Sequence, residues 1–170
     1  MILLIKNRMR FFAVCDPNGK IIYKIKNKRL WNADKIILNS ENQTIYTVSK
    51  TVAPGAADGG TVRYLIRHPD EKAAIATASL IYTGDRQTIY QLPKVCELVI
   101  DSMYGNLDLS RSKGDIFLIK AHESIIGKID AHRMFHPAVL TCNGIEDPGF
   151  LSALFVLTRY MQHEDDLIVV

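Results

Sequence analysis

The sequence has few of the features that mark exported, disulfide-stapled or membrane-spanning proteins. Its three cysteines, Cys15, Cys96 and Cys142, are odd in number and widely spaced within apolar stretches, which predicts buried free thiols in a reducing compartment. The apolar run of residues 1–5 is too short for a signal-peptide core and leads into Lys6 rather than a small-residue cleavage site. No apolar run approaches the ~20 residues that a bilayer-spanning helix needs. We therefore expect a cytoplasmic protein.

The chain also lacks the extremes of composition that indicate disorder or a nucleic-acid binder. Its 170 residues are 48% hydrophobic, and no segment is low in complexity or repeats another. We expect one domain spanning residues 1–170. The net charge of +3 hides an asymmetry, because residues 1–50 carry ten basic and three acidic side chains, whereas residues 51–170 carry eleven and fifteen. This pattern predicts a local basic patch and no nucleic-acid partner.

No motif in the sequence indicates an enzyme. There is no Gly-x-Ser-x-Gly elbow to position a nucleophile, and the Asp16 carboxylate beside Cys15 disfavours a reactive thiolate. Residues 54–60 are rich in glycine, but no Lys-Ser/Thr follows them as it does in a phosphate-binding loop, so they predict a flexible connection. We expect no catalytic residues and no cofactor.

The residues closest to a metal-binding pattern are His132, His136 and Cys142, because imidazole and thiolate bind soft metal ions. A His-x-x-x-His spacing puts both rings on one face only in a helix, and here the intervening residues and Pro137 favour strand and turn. No second ligand pair follows, so we expect no metal site. The carboxylates at 164–166 are expected to form a solvated acidic terminus.

A helix over residues 148–163 is the clearest element of the sequence. Asp147 is a favoured N-cap, Pro148 suits the first helical turn, and the cations Arg159 and His163 suit the last. At ~100° per residue, the run of residues 153–157 passes more than once around the helix axis and leaves no wide polar face. A helix that is apolar all round must be enclosed by protein when it is too short to span a membrane.

Short strand-like segments separated by turns make up most of the remaining chain. The run of residues 73–82 is ambiguous, because its alanines favour helix while its β-branched and aromatic residues favour strand, and we assign it to a strand. About a dozen strands at this close spacing predict a mainly β fold, a closed antiparallel barrel around the buried C-terminal helix. The expected strands are Leu4–Lys6, Arg10–Cys15, Lys20–Lys26, Lys35–Ser40, Thr44–Ser49, Thr61–Arg67, Ala73–Tyr82, Cys96–Asp101, Leu107–Ser110, Ile116–Ala121, Ile125–Asp130 and Pro137–Cys142.

Several of these segments occur in an order that resembles the LURP-one-related family. The resemblance is carried by the first strand, the pair of strands around the Asp16-Pro17-Asn18-Gly19 turn, the pair from 116 to 129 and the terminal helix. That family belongs to the tubby C-terminal-like superfamily, together with the phospholipid scramblases. The resemblance implies a twelve-stranded barrel around a central helix, and it implies lipid headgroups as ligands because tubby domains bind phosphoinositides. The chain lacks the Pro-rich and Cys-rich segments of scramblases, so the resemblance does not imply scramblase activity.

The candidate site is a basic face on the third strand and the residues around it. Alternation predicts that Ile21, Tyr23 and Ile25 are buried, and that Ile22 shares the wetter face with the lysines. We expect these cations to bind anionic lipid headgroups at a membrane surface, with the single tryptophan, Trp31, close by. The alternatives are a solvated strand face, a protein-interaction module with an unknown partner, and a small-ligand binder or enzyme. The expected anion-binding residues are Lys20, Lys24, Lys26, Lys28 and Arg29.

Overall fold

The computed structural model is a closed barrel of twelve antiparallel strands with one helix, and it describes residues 1–28, 34–52, 62–83, 94–112, 115–131 and 136–166. The predicted fold class is confirmed. The elements are β1 (Ile2–Arg8), β2 (Phe11–Cys15), β3 (Ile21–Asn27), β4 (Lys35–Leu38), β5 (Thr44–Val52), β6 (Val62–Arg67), β7 (Ala76–Thr83), β8 (Lys94–Ser102), β9 (Gly105–Arg111), β10 (Ile116–Ala121), β11 (Ser124–Asp130), β12 (Ala138–Cys142) and α1 (Pro148–Asp166).

Each strand pairs with its neighbours in sequence, and β1 pairs with β12 to close the sheet. The closing register sets Leu3 opposite Leu140 and Ile5 opposite Ala138. Because consecutive strands are antiparallel, the connections alternate between the two ends of the barrel. The entry end holds the Met103–Tyr104 turn and the start of α1, and the exit end holds the Met9–Arg10 turn and the end of α1.

The inward side chains of the strands and the side chains of α1 form one hydrophobic core. Every residue from 149 through 158 is buried, as are Tyr160 and Met161. Two of these buried residues are polar, and both donate to helix carbonyls: Ser152 to Pro148 O at 2.6 Å, and Thr158 to Phe155 O at 2.7 Å. Burial on all sides is what an apolar helix requires, because each side needs protein to exclude water.

The carboxylate of Asp147 holds the start of α1 against the barrel wall. Its Oδ1 accepts hydrogen bonds from Gly149 N at 2.8 Å and Phe150 N at 3.0 Å, which is N-capping geometry. Its Oδ2 accepts the hydroxyls of Tyr46 on β5 and Tyr104 after β8. Burial and this carboxylate raise the pKa of Tyr104 to about 12. The Asp147 side chain therefore caps the helix and links it by hydrogen bonds to β5 and to the turn after β8.

A β-bulge in β3 makes one part of the sequence prediction wrong. Cys15 pairs with Ile21 while Val14 pairs with Tyr23, so Ile22 is an extra residue in the strand. The alternation of faces shifts at that point. Ile21 is 38% exposed rather than buried, and Ile22 packs against the core rather than lying on the wetter face.

Other boundaries differ by a few residues. The ambiguous segment at 73–82 is a strand, β7, from Ala76 to Thr83. The helix runs to Asp166, so residues 164–166 belong to α1 and do not follow it. The glycine-rich connection at 54–60 lies outside the described residues. In the part of the chain that the structure describes, no helix is long and apolar enough to cross a membrane.

Replacing Asp147 with Ala should lower the free energy of unfolding by about 3 kcal/mol, because an N-cap is worth ~1 kcal/mol and hydrogen bonds to a charged acceptor ~1.5–3 kcal/mol. Urea unfolding followed by circular dichroism measures the change. Tyr104→Phe is the matched control; it removes a single hydroxyl that donates to this carboxylate and should cost about 1.5 kcal/mol. Equal losses in the two variants would show that neither the helix cap nor the Tyr46 hydrogen bond contributes to stability.

Candidate anion-binding groove

A groove of about 810 Å³ opens at the exit end of the barrel, between the β1–β2 turn and the residues that follow β3. We call it the basic groove. It is lined by Asn7, Arg8, Met9, Arg10, Phe11, Phe12, Ile25, Lys26, Asn27, Lys28 and Lys35.

Strand register brings these residues together from four segments of the chain. Arg8 pairs with Phe11 across the β1–β2 hairpin, which leaves Met9 and Arg10 as its two-residue turn. Phe12 pairs with Ile25 across β2 and β3. On the next strand pair, Asn27 of β3 lies opposite Lys35 of β4. The groove is therefore a product of pairing among β1, β2, β3 and β4.

The floor of the groove is apolar and packs on the helix. Ile25 is buried and belongs to the core. The ring of Phe12 meets the ring of Phe155 edge to face, with centroids 5.5 Å apart and planes at 71°. Aromatic pairs in this geometry contribute about 0.5–1.5 kcal/mol beyond their buried area. The groove thus has a packed base formed partly by α1.

Cations dominate the rim of the groove. Five of the described lining residues are basic, and none of the described lining residues carries a carboxylate. The ammonium of Lys26 lies 5.8 Å from the centroid of the Phe11 ring, within the range of a cation–π interaction. A concave surface lined by one sign of charge raises the local concentration of the opposite ion. The five are Arg8, Arg10, Lys26, Lys28 and Lys35.

Among the described lining residues, Lys35 is a cation whose charge the fold disfavours. It is half-buried, and its ammonium donates a hydrogen bond to Asn27 Oδ1. Burial lowers the pKa of Lys35 below its ordinary value, and the nearby Arg159 guanidinium lowers it further. An anion bound near Lys35 would offset both effects, since an opposite charge favours the protonated ammonium.

The structure gathers only part of the predicted site. Lys26 and Lys28 line the groove. Lys24 is on the outer face of β3, where its ammonium donates to Asn42 Oδ1 at 2.8 Å. Lys20 is in the turn before β3, and at ~3.3 Å per residue it lies roughly 25 Å from Lys28 at the entry end. Arg29 and Trp31 lie outside the described residues.

The sequence prediction missed Arg8, Arg10 and Lys35. A signal for the two arginines was present, because Arg8 lies in the short connection after the first expected strand and Arg10 begins the next one. Nothing in the sequence pattern marked Lys35, since its position opposite Asn27 depends on the register between β3 and β4. Alternation within one strand identifies a face but does not identify its neighbours on other strands.

The other candidate residues do not gather into a site. Among the described residues, no three His, Cys, Asp or Glu side chains are placed to hold a metal ion. His132 lies outside that part of the chain, and His136 is exposed. Cys15 and Cys142 are buried and free, and burial raises the pKa of the Cys142 thiol. The side chain of Cys96 is also outside the described part.

A second, smaller cavity lies on the outer wall across β10, β11 and β12. Its volume is about 250 Å³, and Lys128 is the one charged residue among the described residues that line it. Its neighbours include the exposed Ile125 and the buried Cys142. This cavity lacks the concentration of charge that distinguishes the basic groove.

We expect the ¹³Cε signal of Lys35 to titrate below pH 10.5, its ordinary pKa. Arg159→Gln should raise the Lys35 pKa only part of the way, because burial is the larger cause. A folded pKa below the unfolded one means that the unfolded chain holds this proton to higher pH, so this group's contribution to stability rises with pH between the two values. An unchanged pKa in Arg159→Gln would exclude the guanidinium as a cause.

A scan against models of known protein families finds no match, and a search of curated proteins finds none. Among solved structures, the X-ray structure of a protein from Arabidopsis thaliana is similar to this chain. The two share 13% sequence identity over 95% of this chain and 90% of that chain, with a TM-score of 0.45. At this identity and TM-score, the likeness assigns neither a family nor an activity to this chain.

Proposed function

We propose that this protein is a non-enzymatic tubby-like domain that binds anionic phospholipid headgroups at a membrane surface through the basic groove. The observation that carries the proposal is the charge of the groove: five cationic side chains and, among its described lining residues, no carboxylate. Each cation beside an anionic bilayer contributes about 1 kcal/mol. Five such contributions together give about 5 kcal/mol, which supports weak, reversible association of a small domain with the surface.

The composition of the groove supports a phospholipid over a simple inorganic anion. Its rim is cationic, while the half-buried Phe12 on its floor and the half-buried Phe11 beside Lys26 present apolar surface. A phospholipid has the same two parts, since its phosphate is charged and its glycerol and acyl regions are apolar. Binding would let the apolar floor shed water while the rim pairs with phosphate.

Two independent observations support the tubby-like assignment. The sequence carries, in order, strand pairs and a terminal Asp-Pro helix that resemble those of LURP-one-related proteins. The fold is a twelve-stranded closed barrel with its C-terminal helix buried in the core. That architecture is the one the sequence resemblance implied.

A protein-interaction role is the second candidate, and a different surface favours it. Strands β7 and β8 present Ile81 and Val99 to solvent at 41% and 39% exposure. Their register places them diagonally across the strand pair, because Ser79 lies opposite Val99 and Ile81 opposite Glu97. Capture of a partner that survives high salt, and that Val99→Asp abolishes, would favour this role over lipid electrostatics.

The double variant Lys26→Gln/Lys28→Gln should bind anionic vesicles about 30-fold more weakly than the wild type, because it removes two cations worth about 1 kcal/mol each. Co-sedimentation with vesicles of phosphatidylcholine and phosphatidylserine measures the partition. The matched control is Lys20→Gln/Lys72→Gln, which removes the same charge from exposed residues at the entry end.

The vesicle affinity of the control variant should stay within about threefold of the wild-type value, because its two substituted positions lie more than a Debye length of ~8 Å from the groove. Equal losses in both variants would mean that net charge, and not the groove, determines binding. Equal and negligible binding to neutral and anionic vesicles by the wild type would eliminate the lipid proposal.

A further inference from the structure

The β1–β2 turn carries the most exposed large hydrophobic side chain in the described part of the structure. Met9 is fully exposed, at 106% of the reference area. It sits at the tip of a two-residue turn, between Arg8 and Arg10, and all three residues line the basic groove. The Met9 side chain therefore adds no hydrophobic stabilisation to the fold, because none of its surface is buried.

Turn geometry does not account for these residues. Two-residue hairpin turns usually carry Gly, Asn or Asp, because the favoured turn types need positive φ. The β10–β11 turn has that geometry, with His122 at φ 48° and Glu123 at φ 67°, whereas neither Met9 nor Arg10 takes a positive φ. The backbone of the β1–β2 turn therefore neither requires nor excludes Met9 and Arg10, so it does not explain why they are there.

We infer that Met9 inserts into the interfacial layer of an anionic bilayer, while Arg8 and Arg10 contact lipid phosphates on either side of it. The inference rests on the proposed function and adds a second, apolar mode of contact to it. It also fixes the orientation of the protein, because insertion of this turn directs the exit end of the barrel toward the membrane. Apolar burial and phosphate pairing then occur within three consecutive residues.

Charge complementarity favours a bilayer as the occupant. A protein pocket that received Met9 would have to place carboxylates around it to match Arg8, Arg10 and the other groove cations. An anionic membrane offers this arrangement at every point of its surface, with phosphates above and acyl chains below. An unbranched, flexible Met side chain suits such an irregular environment.

The test compares Met9→Asn with Met103→Asn, which changes a second methionine at a hairpin tip; Met103 is 62% exposed and lies at the entry end. Asn is neutral and suits turns, so neither variant changes the charge of the groove. Met9→Asn should bind phosphatidylserine-containing vesicles about tenfold more weakly, the loss expected from exposing one buried Met side chain. Met103→Asn should stay within about twofold of the wild type.

Two further measurements distinguish insertion of Met9 into a bilayer from a role for Met9 in shaping the groove. Spin-labelled phospholipid should broaden the methyl NMR signal of Met9 and leave that of Met103 unchanged. Because Met9 lines the groove but only a bilayer would receive its side chain, Met9→Asn should weaken vesicle binding clearly more than it weakens binding of inorganic pyrophosphate, followed through the Lys35 side-chain signal. If Met9→Asn weakened pyrophosphate binding to the same degree as vesicle binding, Met9 would be shaping the groove and the insertion proposal would fail.

The failure of each proposal has its own signature. Vesicle binding that depends on Lys26 and Lys28 but is the same in Met9→Asn and the wild type overturns insertion and leaves the groove proposal standing. Vesicle binding that depends neither on Lys26 and Lys28 nor on Met9 overturns both the groove proposal and the insertion proposal.

Met9→Trp tests insertion by a gain of affinity. An interfacial aromatic side chain should tighten vesicle binding severalfold if the turn enters the bilayer. No tightening in Met9→Trp counts against insertion.

Discussion

The enclosure of an apolar helix is the constraint on which the rest of this structure depends. Residues 149–158 are buried without a break, so no side of this part of the helix faces water, and an open sheet is not sufficient to cover it. A closed barrel meets this requirement and also pairs every strand edge. Asp147 then fixes where the helix begins, since it caps α1 and accepts hydrogen bonds from Tyr46 on β5 and from Tyr104 in the β8–β9 turn.

This arrangement determines where a ligand can be bound. The helix and the inward strand residues form one core that fills the barrel. The two cavities therefore lie at the exit end and on the outer wall. At the exit end, the basic groove takes its floor from the pair of Phe12 and Phe155. The helix that fills the barrel thus also packs against the floor of the candidate site. The floor is therefore built from core strands and not from a loop.

Sequence reasoning was strongest where the physical signal is local. Apolar residues on every side of a capped helix, and short strands between turns, were enough to predict the barrel. The prediction of buried and exposed faces in β3 was wrong at Ile21 and Ile22, because a bulge inserts a residue that no simple alternation marks. For the candidate site, Lys26 and Lys28 were visible as part of a basic strand. Lys35 was not, because its position depends on pairing between strands.

The strain at Lys35 bears on why the groove retains so many cations. Folding half-buries this ammonium near Arg159, and both effects disfavour its charge. A sequence optimised only for stability would place an apolar or neutral residue there, because a half-buried charge beside another cation opposes folding. Unfavourable charge that a bound anion would relieve is expected of a binding site, where some stability of the free protein is given up for affinity. Lys35 is therefore a lining residue whose charge a bound anion would favour, which agrees with the proposed role of the groove.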